Sequence, residues 1–224
     1  MAYILNIETA TKNCSVSLGK DERIIDVVEY AGESYSHAEK LHVFIERILS
    51  QNSLRPADLK AVAVSMGPGS YTGLRIGVSA AKGLAYSLDI PLIAVSTLET
   101  LARKVNNANG YIIPVIDARR MEVYSAVFDS QYRLLRDVQA DLLENNPFEK
   151  YLNENPVIFA GDAVPKMKNV LKHKNAIFSN IKYPSAKQMH NIAYQKFTKK
   201  DFENTAYFEP FYLKDFIVTT KIRR

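Results

Sequence analysis

The sequence of 224 residues has a single cysteine, no tryptophan and no long apolar run. One cysteine excludes an internal disulfide framework and any zinc site built from cysteines alone. A helix that crosses a bilayer needs about 20 consecutive apolar residues, and no segment reaches that length. The opening residues, Met1 to Glu8, lack the basic start of a secretory signal and soon reach a carboxylate. We therefore predict a cytoplasmic protein without membrane contact.

Spacings typical of metal ligands and of catalytic nucleophiles are also missing. His37 and His42 stand five residues apart, so on a helix they would face different directions. His173 and His190 lie far from them in the sequence. No Gly-x-Ser-x-Gly motif occurs, and Cys14 falls within a predicted strand. These patterns predict neither a metal site nor a catalytic residue in this chain.

Acidic residues are absent from one long stretch of the second half. Residues 166–200 hold nine lysines and no Asp or Glu, whereas residues 1–110 carry 11 basic and 11 acidic residues. A patch of one sign attracts polyanions such as nucleic acids. The alternative is a solvated helix face above core aromatics. The candidate contacts cluster at the end of a predicted helix and are Lys196, Lys199 and Lys200.

Hydrophobic periodicity predicts two successive α/β units. The first half has the order β-β-β-α-β-α-β-α, and after the polar linker Asn106–Gly110 the second half has the order β-β-β-α-β-α. We predict an α/β fold of two lobes, with residues 1–108 as the N-terminal lobe and residues 109–224 as the lysine-rich C-terminal lobe. The similar order indicates a duplicated architecture, although no repeat is visible in the sequence.

Two turns in the first half are candidates for phosphate binding. A glycine-rich loop follows a strand and precedes a helix, the setting in which backbone amides bind phosphate. It lacks the Lys-Ser/Thr of a Walker loop, and its glycine spacing differs from that of dinucleotide-binding motifs. A tight structural turn is the alternative for this loop, and a ligand-free polar turn is the alternative for the first hairpin. The candidate contacts are Glu8, Thr9, Thr11, Gly67, Gly69, Ser70 and Thr72.

The helix predicted over Leu74–Leu88 has apolar and small residues nearly all round, which one buried face does not explain. Small residues spaced by four let a second helix approach closely. A subunit interface and a central helix buried within one chain are the two interpretations. The candidate interface, which includes the neighbouring helix predicted over Ser36–Gln51, consists of Leu41, Ile45, Ile48, Arg75, Gly77, Val78, Ala81, Leu84 and Ala85.

Several runs of the sequence match one known family. The most specific is Gly-Pro-Gly-Ser-Tyr-Thr-Gly-Leu-Arg, which starts at Gly67. The match is dense over residues 1–128 and thin after them. The sequence thereby resembles the TsaB (YeaZ) family. The runs that carry the resemblance are Ile4–Thr11, Cys14–Leu18, Gly67–Gly77, Val95–Leu98, Ile116–Arg119, Glu122–Tyr124 and Glu209–Leu213.

The resemblance implies a two-lobed actin/Hsp70/sugar-kinase-like (ASKHA) fold. It also implies a role in making threonylcarbamoyladenosine at adenosine 37 of tRNAs that read codons beginning with A. The chain would be a non-catalytic scaffold or activator in a heterodimer with a TsaD-type catalytic homologue. A TsaE-type ATPase is a further implied partner, tRNA would bind through the complex, and the chain alone could form a homodimer. No cofactor is required by this chain, while ATP or ADP could bind at the junction of the complex.

One residue departs from the pattern of the fold, and two other functions remain as alternatives. Glu8 stands where many members of the fold have Asp, and its longer side chain would displace a metal–phosphate contact. A stand-alone small-molecule kinase would need Asp117 and the Gly161-Asp162 turn as its carboxylate and second phosphate loop. A metallopeptidase would need metal ligands, which the sequence does not supply. We expect the chain to have no independent activity as a subunit of a tRNA threonylcarbamoyl-transferase complex.

Overall fold

The computed structural model describes residues 1–32, 36–106 and 109–214, which form ten strands and six α-helices. The strands are Tyr3–Glu8 (β1), Asn13–Lys20 (β2), Arg23–Ala31 (β3), Leu59–Gly67 (β4), Leu92–Ser96 (β5), Tyr111–Asp117 (β6), Glu122–Phe128 (β7), Leu134–Leu142 (β8), Val157–Ala160 (β9) and Ala176–Phe178 (β10). The helices are His37–Gln51 (α1), Tyr71–Leu88 (α2), Thr97–Ala102 (α3), Glu149–Glu154 (α4), Val164–Val170 (α5) and Ala186–Lys199 (α6).

The strands form two sheets with the same topology. The first sheet has the order β3-β2-β1-β4-β5, and the second has the order β8-β7-β6-β9-β10. In each sheet the first three strands in sequence pair antiparallel, and the last two are added in parallel. The parallel strands follow helical crossovers, as parallel pairing requires. The repeated topology confirms the duplicated α/β architecture and the two-lobed ASKHA-like fold.

Helices cover both faces of the first sheet. On one face α1 and α2 bury residues such as Leu41 and Ala81 against Val62 and Val64 of β4. On the other face α6 buries side chains against Ala63 and its neighbours. The helix α6 follows the second sheet in the sequence, so the chain returns to the first sheet after it has completed the second. The predicted lobe boundary at residue 108 lies outside the described residues.

The second sheet is also covered on both faces. Helices α4 and α5 contribute to a core around Phe148 and Phe159, whose rings meet edge to face at 5.3 Å. Helix α3 packs on the opposite face through Leu98 and Leu101. The short strand β10 was not predicted, and no bounds were predicted for α4, because three and six residues carry too little periodicity to be recognised.

The helix α2 begins three residues earlier than predicted. Ser70 is its N-cap, and the Ser70 hydroxyl accepts a hydrogen bond from the Gly73 amide at 3.3 Å. Asp89 ends the helix in a left-handed conformation. Among the residues that the structure describes, no helix is long and apolar enough to cross a membrane.

Candidate functional site

The glycine-rich loop and the β1–β2 hairpin turn lie side by side. Because β1 and β4 pair in parallel, the turns that follow them emerge at the same edge of the sheet. The Ser70 amide donates to the Ala10 carbonyl at 2.7 Å, and the Thr9 hydroxyl donates to the Gly73 carbonyl at 2.8 Å. The structure thus brings together the two turns that the sequence singled out as candidates for phosphate binding.

The glycines of this loop make room for the hairpin. A Cβ atom at Gly69 would overlap the backbone of Ala10, and one at Gly73 would overlap the carbonyl oxygen of Thr9. A Cβ atom at Gly77 would overlap the Thr9 hydroxyl. These close approaches explain the glycines as elements of packing. The hairpin fills the space in front of the loop, and the amides of Ser70 and Gly73 are already bonded within the chain.

The predicted phosphate contacts are mostly inaccessible. Glu8, Thr9 and Thr11 are buried, and Gly67 is buried with a left-handed φ of +114°. Gly69 and Ser70 are half-buried. Thr72, in the first turn of α2, is the one exposed residue of this predicted set. Most of the loop therefore packs against other parts of this chain.

The carboxyl group of Glu8 is completely enclosed. Its Oε1 atom accepts a hydrogen bond from the Ala10 amide at 2.7 Å. Burial raises the pKa of Glu8 to about 7, against the opposing effects of the Ala10 amide, the Ser65 hydroxyl and Lys104. The raised pKa favours the protonated form, and a protonated carboxyl group is a poor metal ligand.

A second carboxylate, Glu29, ties α6 to the first sheet. It accepts hydrogen bonds from the hydroxyls of Ser185 at 2.6 Å and Ser15 at 2.9 Å, and from the Asn13 amide at 3.3 Å. Burial acts to raise the pKa of Glu29, but the hydrogen bonds prevail and lower it. A cleft of about 1160 Å³ lies beside it. Sequence patterns gave no signal for this network because Glu29 and Ser185 lie 156 residues apart.

Most of the predicted interface residues lie in the core of this chain. Leu41, Ile45, Ile48, Gly77, Val78, Ala81 and Ala85 are all buried. Six of them pack between α1, α2 and the first sheet, and Gly77 packs against Thr9, so none of the seven is available to a partner. This placement corrects the assignment for these seven residues. Leu84 is half-buried, and Arg75 is exposed.

The outer faces of the two helices have different residues. On α1, Val43 is 57% exposed, and on α2, Tyr86 is 84% exposed. A Cβ atom at Gly83 would meet no atom within 4 Å, so this position faces open space. Ile76 and Ala80 are half-buried beside this surface. An interface on these helices would use this outer surface, which we define as Val43, Gly83, Leu84 and Tyr86.

The C-terminal segment, residues 203–212, lies along α2. The Lys82 ammonium donates to the carbonyls of Ala206 at 3.1 Å and Phe208 at 2.9 Å. The Arg75 guanidinium lies 4.1 Å from the ring centre of Tyr71 and donates to the Tyr212 hydroxyl at 3.2 Å. The sequence match over Glu209–Leu213 pointed to this segment without indicating where it packs. Its contacts help to explain why α2 is apolar nearly all round.

The remaining candidates are spread over the surface. Lys196 forms an ion pair with Asp201 at 3.2 Å, while Lys199 and Lys200 are exposed at the end of α6. Their contact with RNA stays a prediction. The Asp117 amide donates to Asp162 at 2.9 Å. Within the described ranges, no group of three or more His, Cys, Asp or Glu residues is placed to hold a metal ion.

Comparisons with known proteins identify the family. A family model described as TsaD, tRNA N6-adenosine threonylcarbamoyltransferase, matches residues 32–221. The tRNA threonylcarbamoyladenosine biosynthesis protein TsaB of Bacillus subtilis is 37% identical over 164 residues, which is 70% of each chain. The chain belongs to the TsaB family. The TsaB protein of Haemophilus influenzae is 27% identical over 240 residues and is covered almost fully, at 98% of this chain and 96% of that protein.

A solved structure agrees with this assignment at the level of the TsaB fold. It is a protein from Pseudomonas aeruginosa that is described as uncharacterized and similar to peptidase YEAZ. It superimposes with a TM-score of 0.85 at 24% identity, and the match covers 96% of this chain and 100% of that one. At this identity the likeness shows the shared fold, and the TsaB family assignment rests on the sequence relatives.

Proposed function

We propose that this chain is the non-catalytic partner of a TsaD-type homologue in the synthesis of threonylcarbamoyladenosine on tRNA. Membership of the TsaB family places the chain in this biosynthesis. The observation that carries the non-catalytic role is the packing of the hairpin into the glycine loop. Thr9 and Ala10 occupy the space in front of the loop, and they use its hydrogen-bonding groups.

The outer surface of α1 and α2 supports pairing with a TsaD-type homologue. The match to the TsaD family model spans residues 32–221, so the proposed partner shares the architecture of this chain. Two chains of one fold can pair through equivalent helices in a pseudo-twofold arrangement. The exposed Val43 and Tyr86 give this surface apolar area, and Gly83 allows a close helix approach. A homodimer of the isolated chain would use the same surface.

The other members of the assembly follow from this role. A TsaE-type ATPase would join the heterodimer, and tRNA would bind through the assembled complex. ATP or ADP would bind at the junction between subunits, since the glycine loop of this chain is filled by its own hairpin. Among the described residues, no observation favours a stand-alone kinase or a metallopeptidase.

Gly83→Arg tests the outer surface. The position faces open space, so the variant should fold, and its helix should become slightly more stable because arginine has the higher helix propensity. An unpaired charge buried in an interface is strongly destabilising, so we expect affinity for the TsaD-type homologue to fall by more than tenfold. Gly83→Ala is the matched control and should bind like the wild type. Calorimetric titration of each purified variant with the purified TsaD-type homologue measures the two affinities.

The same proteins test the proposed role. With the threonylcarbamoyl-adenylate supplied, this chain alone should not modify tRNA, and its addition should raise the modification rate of the TsaD-type homologue. Modification by the isolated chain would overturn the non-catalytic role. Unchanged affinity of the Gly83→Arg variant would overturn the surface assignment. Ala81→Arg is unsuitable for this purpose because Ala81 is fully buried and the charge would disrupt the core.

A further inference from the structure

An unusual turn joins β6 to β7 at one end of the second sheet. Arg119 and Arg120 both have left-handed backbone conformations, with φ of +67° and +48°. Within the described part of the chain, they are the only adjacent pair of non-glycine residues with positive φ. This conformation is unfavourable for residues that carry a Cβ atom, and it persists only where surrounding contacts impose it. Glycine or asparagine is the usual solution at such positions.

Contacts from a second element hold the turn in this conformation. The Asp117 carboxylate accepts a hydrogen bond from the Arg119 amide at 2.8 Å. The Lys166 ammonium, from α5, donates to the same carboxylate at 2.6 Å and to the Arg120 carbonyl at 3.0 Å. The side chain of Lys166 is mostly covered in doing so. The turn is therefore fixed at both of its strained residues.

The two guanidinium groups of this turn are exposed and unneutralised. Neither arginine takes part in any of the ion pairs found among the described residues. Two nearby carboxylates already have cationic partners, because Asp117 pairs with Lys166 and Glu122 pairs with Lys214. Lys214 is a further cation beside the turn. Desolvation and the charge of Arg120 both lower the pKa of Lys214.

We propose that Arg119 and Arg120 form a binding site for the phosphodiester backbone of RNA. The inference rests on the proposed function, because it assigns an RNA contact within the tRNA-modifying complex. A guanidinium group binds phosphate oxygens through two parallel hydrogen bonds, and a rigid turn presents two such groups without further ordering of the backbone. Since Lys166 and Lys214 pair with Asp117 and Glu122, the two arginines add positive charge at this end of the sheet, which favours a polyanion.

The double variant Arg119→Gly/Arg120→Gly separates charge from folding. Glycine adopts the left-handed conformation without steric cost, so the thermal midpoint of the variant should match or exceed that of the wild type. Each phosphate contact contributes about 0.7 to 0.9 to the slope of log affinity against log salt. Loss of two contacts should therefore lower the slope by about 1.5 units. Affinity should fall at least tenfold at low salt and less as salt rises.

The binding experiment uses the full chain, alone and assembled with the TsaD-type homologue. The probe is an unmodified tRNA transcript, titrated across a salt series. The control variant Arg23→Gln/Lys60→Gln removes the same charge from exposed positions of the first sheet. Its slope should stay close to that of the wild type. Equal losses in the two double variants would mean that only net charge matters, and this result would overturn the site.

Two further measurements complete the test. Polyglutamate of similar charge replaces the tRNA transcript in a parallel titration. If the arginine variant loses affinity for polyglutamate and retains its affinity for tRNA, the turn binds an acidic protein and the RNA assignment is wrong. Modification by the complex is measured separately. A wild-type complex that modifies no tRNA would contradict the proposed function but not the binding site. An unchanged salt slope in the arginine variant would contradict the binding site but not the proposed function.

Discussion

At the scale of single residues, the ionisation of Glu8 makes the stability of the folded chain depend on pH. Burial raises its pKa to about 7 in the folded chain, from an ordinary value of 4.5. Between these two values the folded state keeps a proton that the unfolded state has released. The stability contributed by the protonated form is therefore complete below pH 4.5 and is lost as the pH rises through 7. Above this range, the folded chain holds a buried and poorly solvated charge.

Glu8→Gln removes this ionisation and keeps a carbonyl oxygen for the Ala10 amide. Relative to the wild type, the variant should become more stable by up to about 3 kcal/mol between pH 4 and pH 8, since one unit of pKa corresponds to about 1.4 kcal/mol. Urea unfolding at several pH values measures the difference. A stability difference that stays constant across this range would show that Glu8 titrates normally in the folded chain.

The sequence pointed to a structural role for the loop glycines as one alternative, but it did not show which residues they contact. Their spacing excluded the common phosphate-binding motifs, which left a structural turn as one alternative. That alternative matches the contacts of Gly69 and Gly73 with the hairpin. The contact partner could not be predicted, because it depends on the parallel pairing of β1 with β4 across more than 50 residues.

At the scale of elements, α2 was predicted from its apolar and small residues, and a subunit interface and burial within one chain were both open as their role. Its start was placed late because Tyr71 to Gly73 have weak helix propensity and continue a glycine-rich loop. The helix is covered by the first sheet, by α1 and by the segment 203–212. Periodicity shows how much of a helix is buried. It does not distinguish burial within a chain from burial against a second chain.

The packing of α2 on the hairpin predicts strong coupling between Gly77 and Thr9. A Cβ atom at Gly77 would overlap the Thr9 hydroxyl, so Gly77→Ala should destabilise the chain by about 2 kcal/mol. Thr9→Ala removes the overlapping oxygen. The double variant should therefore be more stable than the sum of the two single effects, with a coupling of about 1 kcal/mol or more. Chemical unfolding of the four proteins closes this cycle.

Gly83→Ala provides the control for this cycle on the same helix. Gly83 faces open space, so its replacement should stabilise α2 by roughly 0.5–1 kcal/mol through helix propensity alone. Additive effects of Gly77→Ala and Thr9→Ala would contradict direct contact between these residues. A loss of stability on Gly83→Ala would mean that this face of α2 is already covered within the chain.

For the whole molecule, the order of predicted elements was sufficient to indicate two similar lobes. The location of α6 on the first sheet could not be predicted in the same way, because an amphipathic pattern does not name the sheet that a helix covers. The contacts that decide it are long-range. The Ser17 hydroxyl donates to the Ala186 carbonyl at 2.8 Å, and the Ala186 amide donates to Ser15 at 3.0 Å. The lysines at the end of α6 therefore lie beside the first sheet and not beside the second.

The lysines at the end of α6 differ in how far they are free to contact tRNA. Lys196 already pairs with Asp201, so Lys199 and Lys200 are the exposed charges available to tRNA. Lys200 has a φ of +56°, and asparagine tolerates this conformation, so Lys199→Gln/Lys200→Asn should fold normally. We expect weaker tRNA binding by the complex and a salt slope lower by up to about 1.5 units, with subunit pairing unchanged.

The salt series distinguishes this contact from a solvated helix face. Exposed charges are screened beyond about 8–10 Å near physiological ionic strength, so a true contact loses its advantage progressively as salt rises. The wild-type and variant curves should therefore converge, and curves that coincide at every salt concentration would leave the lysines without a role in binding. If the arginine turn and these lysines contact separate phosphates, the slope losses of the two double variants should add when the four changes are combined. A combined loss no larger than either alone would mean that only one of the two surfaces binds tRNA.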